Sequence, residues 1–102
     1  MQSFRIVVLG AALALGGAAG AQDLETGEEL YGESCRNCHG PRAQGMASFP
    51  KLTGQDAAYL AGRLEQYRAG ERVGPNSALM QPNAADLSDA DIANLAAFIA
   101  SL

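Results

Sequence analysis

The chain has 102 residues, enough for one compact domain. Eleven Asp and Glu against seven Lys and Arg leave a formal net charge of −4. No basic stripe is present to neutralise phosphates, which argues against nucleic acid and against anionic lipid surfaces as partners.

Residues 1–21 have the layout of an export signal: a positive start at Arg5, an apolar stretch over residues 6–15, then small residues. Ala19-Gly20-Ala21 resembles an A-x-A cleavage site, so the mature domain is expected to be residues 22–102. The alternative is an uncleaved anchor, although the run is short and rich in Gly and Ala for a membrane span. Without Arg5 the remainder carries six cations against eleven anions, a net charge of −5. A domain of this size buries a modest core and commonly leans on a disulfide, metal or cofactor.

Three helices are predicted, and nothing alternates with the period of a strand, so the class is all-α. The first covers about residues 24–38, with Asp23 as N-cap and Glu25, Glu28 and Glu29 early, where the helix dipole favours acids. The second covers about residues 56–68, with Tyr59, Leu60, Leu64 and Tyr67 on adjoining faces and Gly70 as its stop. Ser88 caps the third, Asp91 sits at the capping-box position, and Ile92, Leu95, Ala96 and Ile99 follow helical spacing. Two long loops, residues 40–54 and 71–87, separate them. Loops of that length in a small domain need something to wrap.

Cys35-Arg36-Asn37-Cys38-His39 is a C-x-x-C-H sequence, the haem-attachment motif. One turn at a helix end presents both thiols to the two vinyl groups of a porphyrin, and His39 follows as an axial ligand. Gly40 then lets the chain turn sharply. A structural zinc site would need four Cys or His ligands, and the chain holds two Cys and one His. A thioredoxin-like pair would lie near a βαβ pattern, which is absent. A plain disulfide leaves His39 without a role. The reading is one covalently attached haem c.

The second axial position needs a soft neutral donor or stays open. Met1 leaves with the signal, and Met46 lies only seven residues past His39, in the loop expected on the histidine side. Met80, in the loop before the last helix, is the candidate, since thioether sulfur suits haem iron. Its ordinary alternative is a gap-filling core methionine.

In this order the pieces resemble the class I c-type cytochromes, especially the small bacterial periplasmic kind found alone or as halves of dihaem proteins. Gly27-x-x-x-Tyr31 precedes the C-x-x-C-H motif; residues 49–55, the stretch ending Gly70-Glu71-Arg72, and Met80 followed by residues 87–98 complete the match across nearly all of residues 22–102. The resemblance implies the class I cytochrome c fold, with three main helices and long loops around one haem. It implies that Gly27 and Phe98 meet where the first and last helices cross. It also implies that the Pro50 carbonyl accepts from the His39 ring, and that Leu52 and Leu64 pack on the haem. One departure is that no proline stands just before Met80; Pro82 follows it instead.

A haem with two protein ligands has no open position for substrate, so the expected function is single-electron transfer by Fe(III)/Fe(II) cycling, not enzymatic catalysis. The expected location is the periplasm, and the expected partners are a redox protein donor and acceptor that dock by apolar contact near Arg36, Arg42 and Lys51. Membrane association would come only through a redox complex or a retained signal. One alternative is an electron-accepting cytochrome subunit of a periplasmic dehydrogenase or oxidase. Another is an open-face haem enzyme or gas binder, which requires that Met80 not ligate.

Overall fold

The computed structural model describes residues 22–102; the expected signal, residues 1–21, lies outside the described residues. The described residues form five helical segments: α1 (Leu24–Ser34), α2 (Arg36–His39), α3 (Ala57–Arg68), α4 (Ser77–Ala84) and α5 (Asp89–Ala100). Among the described residues the only β-type pairing is an isolated bridge between Met46 and Phe49, so the class is all-α as expected. No described helix is long and apolar enough to cross a membrane.

Two of the three long helices start at the predicted caps, Asp23 and Ser88, and the third starts at Asp56, a cap not singled out from the sequence. The Asp23 carboxylate accepts the N–H groups of Glu25 and Thr26 at 3.0 and 3.1 Å. Asp56 accepts from Tyr59 at 2.8 Å and opens α3. Ser88 and Asp91 form the reciprocal capping box, each side chain accepting the other's backbone N–H at 3.0 Å. These bonds satisfy donors that an uncapped first turn leaves without partners.

Two expectations need correction. The first helix does not run unbroken through residue 38. It stops at Ser34, and Cys35 leaves helical geometry at φ −119° before the single turn of α2. The Cys35 N–H still reaches the Tyr31 carbonyl at 2.9 Å, while His39 N–H reaches back to the Cys35 carbonyl at 3.0 Å. The opened residue thus links one helical turn to the next. Residues 71–87 are also not one loop, because α4 lies within them and carries Met80. Eight residues with an internal Pro82 are too few for a helix to stand alone, and tertiary bonds hold this one.

α5 is the central element. Its buried residues Ile92, Leu95, Ala96 and Ile99 form one core cluster with Leu60 and Leu64 of α3 and Tyr31 of α1. The crossing of α1 over α5 is close. A Cβ at Gly27 would stand 2.2 Å from the Asn94 carbonyl oxygen and 2.8 Å from Phe98 Cβ. Only the missing side chain permits that approach. Beside it the Tyr31 and Phe98 rings lie 5.7 Å apart, tilted by 52°, within the range of favourable aromatic pairs. The Gly27–Phe98 contact implied by the resemblance is therefore present. At the other end of the core, Arg68 donates to the Leu87 carbonyl at 3.1 Å and pairs with Asp89 at 2.8 Å, joining the end of α3 to the start of α5.

Candidate functional site: a cavity lined by two thiols, an imidazole and a thioether

The helices leave a cavity of about 380 Å³, within the range of cofactor pockets. Cys35, Cys38, His39 and Met80 all line it. They arrive from separate elements: Cys35 from the α1–α2 break, Cys38 and His39 from α2, and Met80 from α4. Leu60 and Leu64 of α3 with Leu95 and Ile99 of α5 supply its apolar floor.

His39 is buried, at 6% exposure, and its orientation is fixed from outside the helix. Nδ1 stands 2.9 Å from the Pro50 carbonyl oxygen. A carbonyl only accepts, so Nδ1 carries the proton and Nε2 keeps its lone pair for a metal. The loop after α2 folds back to place that carbonyl. Gly45 N–H donates to the His39 carbonyl at 2.8 Å, and Leu52 N–H to the Ala43 carbonyl at 2.8 Å. Gly45 sits at φ +86°, and a Cβ there would meet Lys51 N at 2.8 Å and the Phe49 carbonyl oxygen at 2.9 Å. The hydroxyl of the buried Tyr31 donates to the Gly40 carbonyl just past the histidine. Burial, with the Cys35 thiol as a lesser contributor, pushes the Tyr31 phenol up.

The two cysteines differ in environment. Cys35 is half-buried, and burial pushes its free thiol up to about 11, so it is held protonated at neutral pH. Cys38 is exposed at the mouth of the cavity. Leu52 and Leu64 both line the cavity, as does Pro50. Met46 is 44% exposed and is not part of the lining, whereas Met80 is.

Sequence reasoning missed a polar rim. Arg63 lies over the Tyr59 ring at 5.4 Å, donates from Nε to the Tyr59 hydroxyl at 3.2 Å and from Nη1 to Gln66 at 3.0 Å. Both Tyr59 and Arg63 border the cavity, as does Lys51. The signal was available as an aromatic and a cation four residues apart on one helix face.

These residues fit a haem. The donor set offers thiols for two vinyl groups, an imidazole with its free nitrogen already selected, and a soft sulfur. The floor is apolar, and cations at the rim suit the carboxylate tails that such a macrocycle carries. Fold and donor set together define a small all-α domain built to enclose a covalently held haem.

The comparisons with known proteins agree. The profile of the cytochrome c family matches residues 24–102. Cytochrome c-554(548) from Halomonas halodenitrificans is 49% identical over 82 residues, covering 79% of this chain and 98% of that protein. The thiosulfate dehydrogenase electron acceptor of Stutzerimonas stutzeri is 38% identical over 102 residues, covering 90% of this chain and 44% of that protein. Among solved structures, cytochrome c4 from Acidithiobacillus ferrooxidans superposes with a TM-score of 0.69 at 29% identity, over 82% of this chain and 51% of that one. The chain belongs to the cytochrome c family. It is an electron-carrying cytochrome with covalently bound haem c.

Proposed function

We propose that Cys35 and Cys38 would form the thioether bonds, that His39 Nε2 and the Met80 sulfur would ligate the iron, and that Pro50, Leu52 and Leu64 would pack around the haem. The observation that carries this reading is the convergence of all four donors on one cavity, with His39 Nδ1 already committed to Pro50. When bound, the haem supplies a one-electron Fe(III)/Fe(II) couple. The chain's own part is positional. α2 fixes the imidazole, the apolar floor keeps water from the iron and favours the less charged ferrous state, and Met80 favours it further.

Cys38 and the 54% exposed Leu79 both border the open side of the cavity, and this is the surface through which electrons enter and leave. A small, mostly apolar contact suffices for such transient docking. The protein works in the periplasm, with residues 1–21 removed on export. N-terminal sequencing of protein recovered from that compartment should begin at Gln22. Expression with the haem-attachment machinery should give a chain whose mass exceeds the polypeptide by one haem, resistant to acid–acetone extraction. Free thiols on such a chain would overturn the assignment.

The name of the Stutzerimonas stutzeri relative supports a second reading, in which the donor is a periplasmic dehydrogenase to which this cytochrome stays bound. That relative is more than twice the length matched here, so the reading concerns a partner class only. Purification of tagged protein from its native periplasm separates the two: a stoichiometric dehydrogenase favours the subunit, and a lone monohaem protein favours the mobile carrier.

A further inference from the structure

α4 has few means of holding its own place. It has eight residues and Pro82 inside, so the Ala78 carbonyl lacks the N–H that residue 82 would normally give it. Asn76 at its N-terminus makes no side-chain capping bond. Its buried positions are Ser77 and Ala84, at the two ends, while Leu79 in the middle is 54% exposed. Met80 itself is only partly buried against the core, so hydrophobic burial alone anchors it weakly.

What replaces it is a pair of polar attachments to the turn after α3. Ser77 is buried at 2% exposure, and its Oγ accepts the N–H groups of Val73 and Gly74, each at 2.8 Å. Its own N–H donates to the Gly74 carbonyl at 3.1 Å. Gln81, the residue after Met80, donates from Nε2 to the carbonyls of Gly70 and Glu71, both at 3.1 Å. An amide nitrogen has two hydrogens, so both bonds form together. The same turn is fixed to α3 by Gly70 N–H to the Tyr67 carbonyl and Glu71 N–H to the Gln66 carbonyl, each at 3.0 Å. Met80 thus sits between two straps, three residues after one and one residue before the other.

We propose that Ser77 and Gln81 are positioning residues that hold the Met80 sulfur in place and set how readily an outside ligand displaces it from the iron. The inference rests on axial ligation by Met80. A small ligand can bind ferric iron only in the fraction of molecules in which the methionine has swung away, so its apparent affinity reads that fraction directly.

The test is imidazole titration of the ferric, haem-loaded mature protein, followed by optical spectroscopy, in wild type, Ser77→Ala, Gln81→Ala, Met80→Ala and Ser88→Ala. Losing either strap should tighten apparent imidazole binding about tenfold, toward the value for Met80→Ala. Ser88→Ala lowers global stability without touching either strap and should leave imidazole binding unchanged. Should Ser77→Ala fail to mature, the partly exposed Gln81→Ala carries the test, and Gln81→Glu, which offers no amide donor, should behave as Gln81→Ala does. Imidazole affinity within twofold of wild type in the strap variants overturns the proposal. So does equal tightening by Ser88→Ala, which would make the effect one of general stability. Wild type binding as tightly as Met80→Ala would instead show that Met80 is not a ligand, sinking the underlying assignment.

Discussion

His39 Nδ1 and the Pro50 carbonyl oxygen stand 2.9 Å apart, and this contact decides which ring nitrogen keeps its lone pair. It depends on the fold of residues 40–54, where Gly45 at φ +86° lets the backbone pass close to Phe49 and Lys51. Gly45→Ala puts a methyl group against Lys51 N and forces a left-handed backbone on a residue that resists it. The expected cost is about 1–3 kcal/mol in denaturant unfolding. Because the Pro50 bond makes the imidazole a stronger donor, its loss should raise the reduction potential; voltammetry of the haem-loaded variant checks the sign.

The α1–α5 crossing gives a sharper stability prediction. A Cβ at Gly27 would lie 2.2 Å from the Asn94 carbonyl oxygen, which is main chain and cannot rotate away. Gly27→Ala must separate the two helices and loosen the Tyr31–Phe98 contact. It should lose about 1–3 kcal/mol of stability, the usual range for overpacking, with the haem absorption spectrum unchanged. Equal stability in a guanidinium melt would mean that the crossing is looser than described.

Tyr31→Phe isolates a single bond. The ring and its contact with Phe98 remain, and only the donation to the Gly40 carbonyl is removed. The expected loss is about 1 kcal/mol, measured as a shift in denaturant midpoint at constant slope.

Acid should act partly through Asp23. The backbone N–H of Thr26, with lesser help from the Thr26 side chain and the Glu25 N–H, holds this carboxyl below its ordinary 3.8. A carboxyl lowered by folding adds stability that is present above its unfolded value and is lost as pH falls through its folded value. Asp23→Ala should therefore lower Tm at pH 7, and the gap from wild type should shrink below pH 4. A gap that is constant with pH would assign the effect to something other than the charged cap.

Much of this was legible because the relevant chemistry is local. C-x-x-C-H is contiguous, and Asp23 and the Ser88–Asp91 box act on N–H groups within three residues. The period of Ile92, Leu95, Ala96 and Ile99 placed the core face of α5 without any tertiary information. What was not legible depends on distant bonds. α4 has no amphipathic pattern and contains Pro82, so Met80 read as a loop residue; the Gln81 side chain bonds back to residues 70 and 71, ten and more positions away, which no local pattern announces. The break at Cys35 likewise has no breaker residue to announce it, since Ser34 and Cys35 carry no such signal. The bonds of Arg68 to Leu87 and Asp89 cross 19 and more positions of chain, and no local pattern announces them.

The most direct test of the account is the far-red absorption of the ferric protein, which reports a bond between methionine sulfur and haem iron. Wild type at neutral pH should show that weak band, and Met80→Ala should lose it while keeping the haem covalently bound through Cys35 and Cys38. A band that persists in Met80→Ala, or that wild type lacks, would contradict iron held between His39 and Met80.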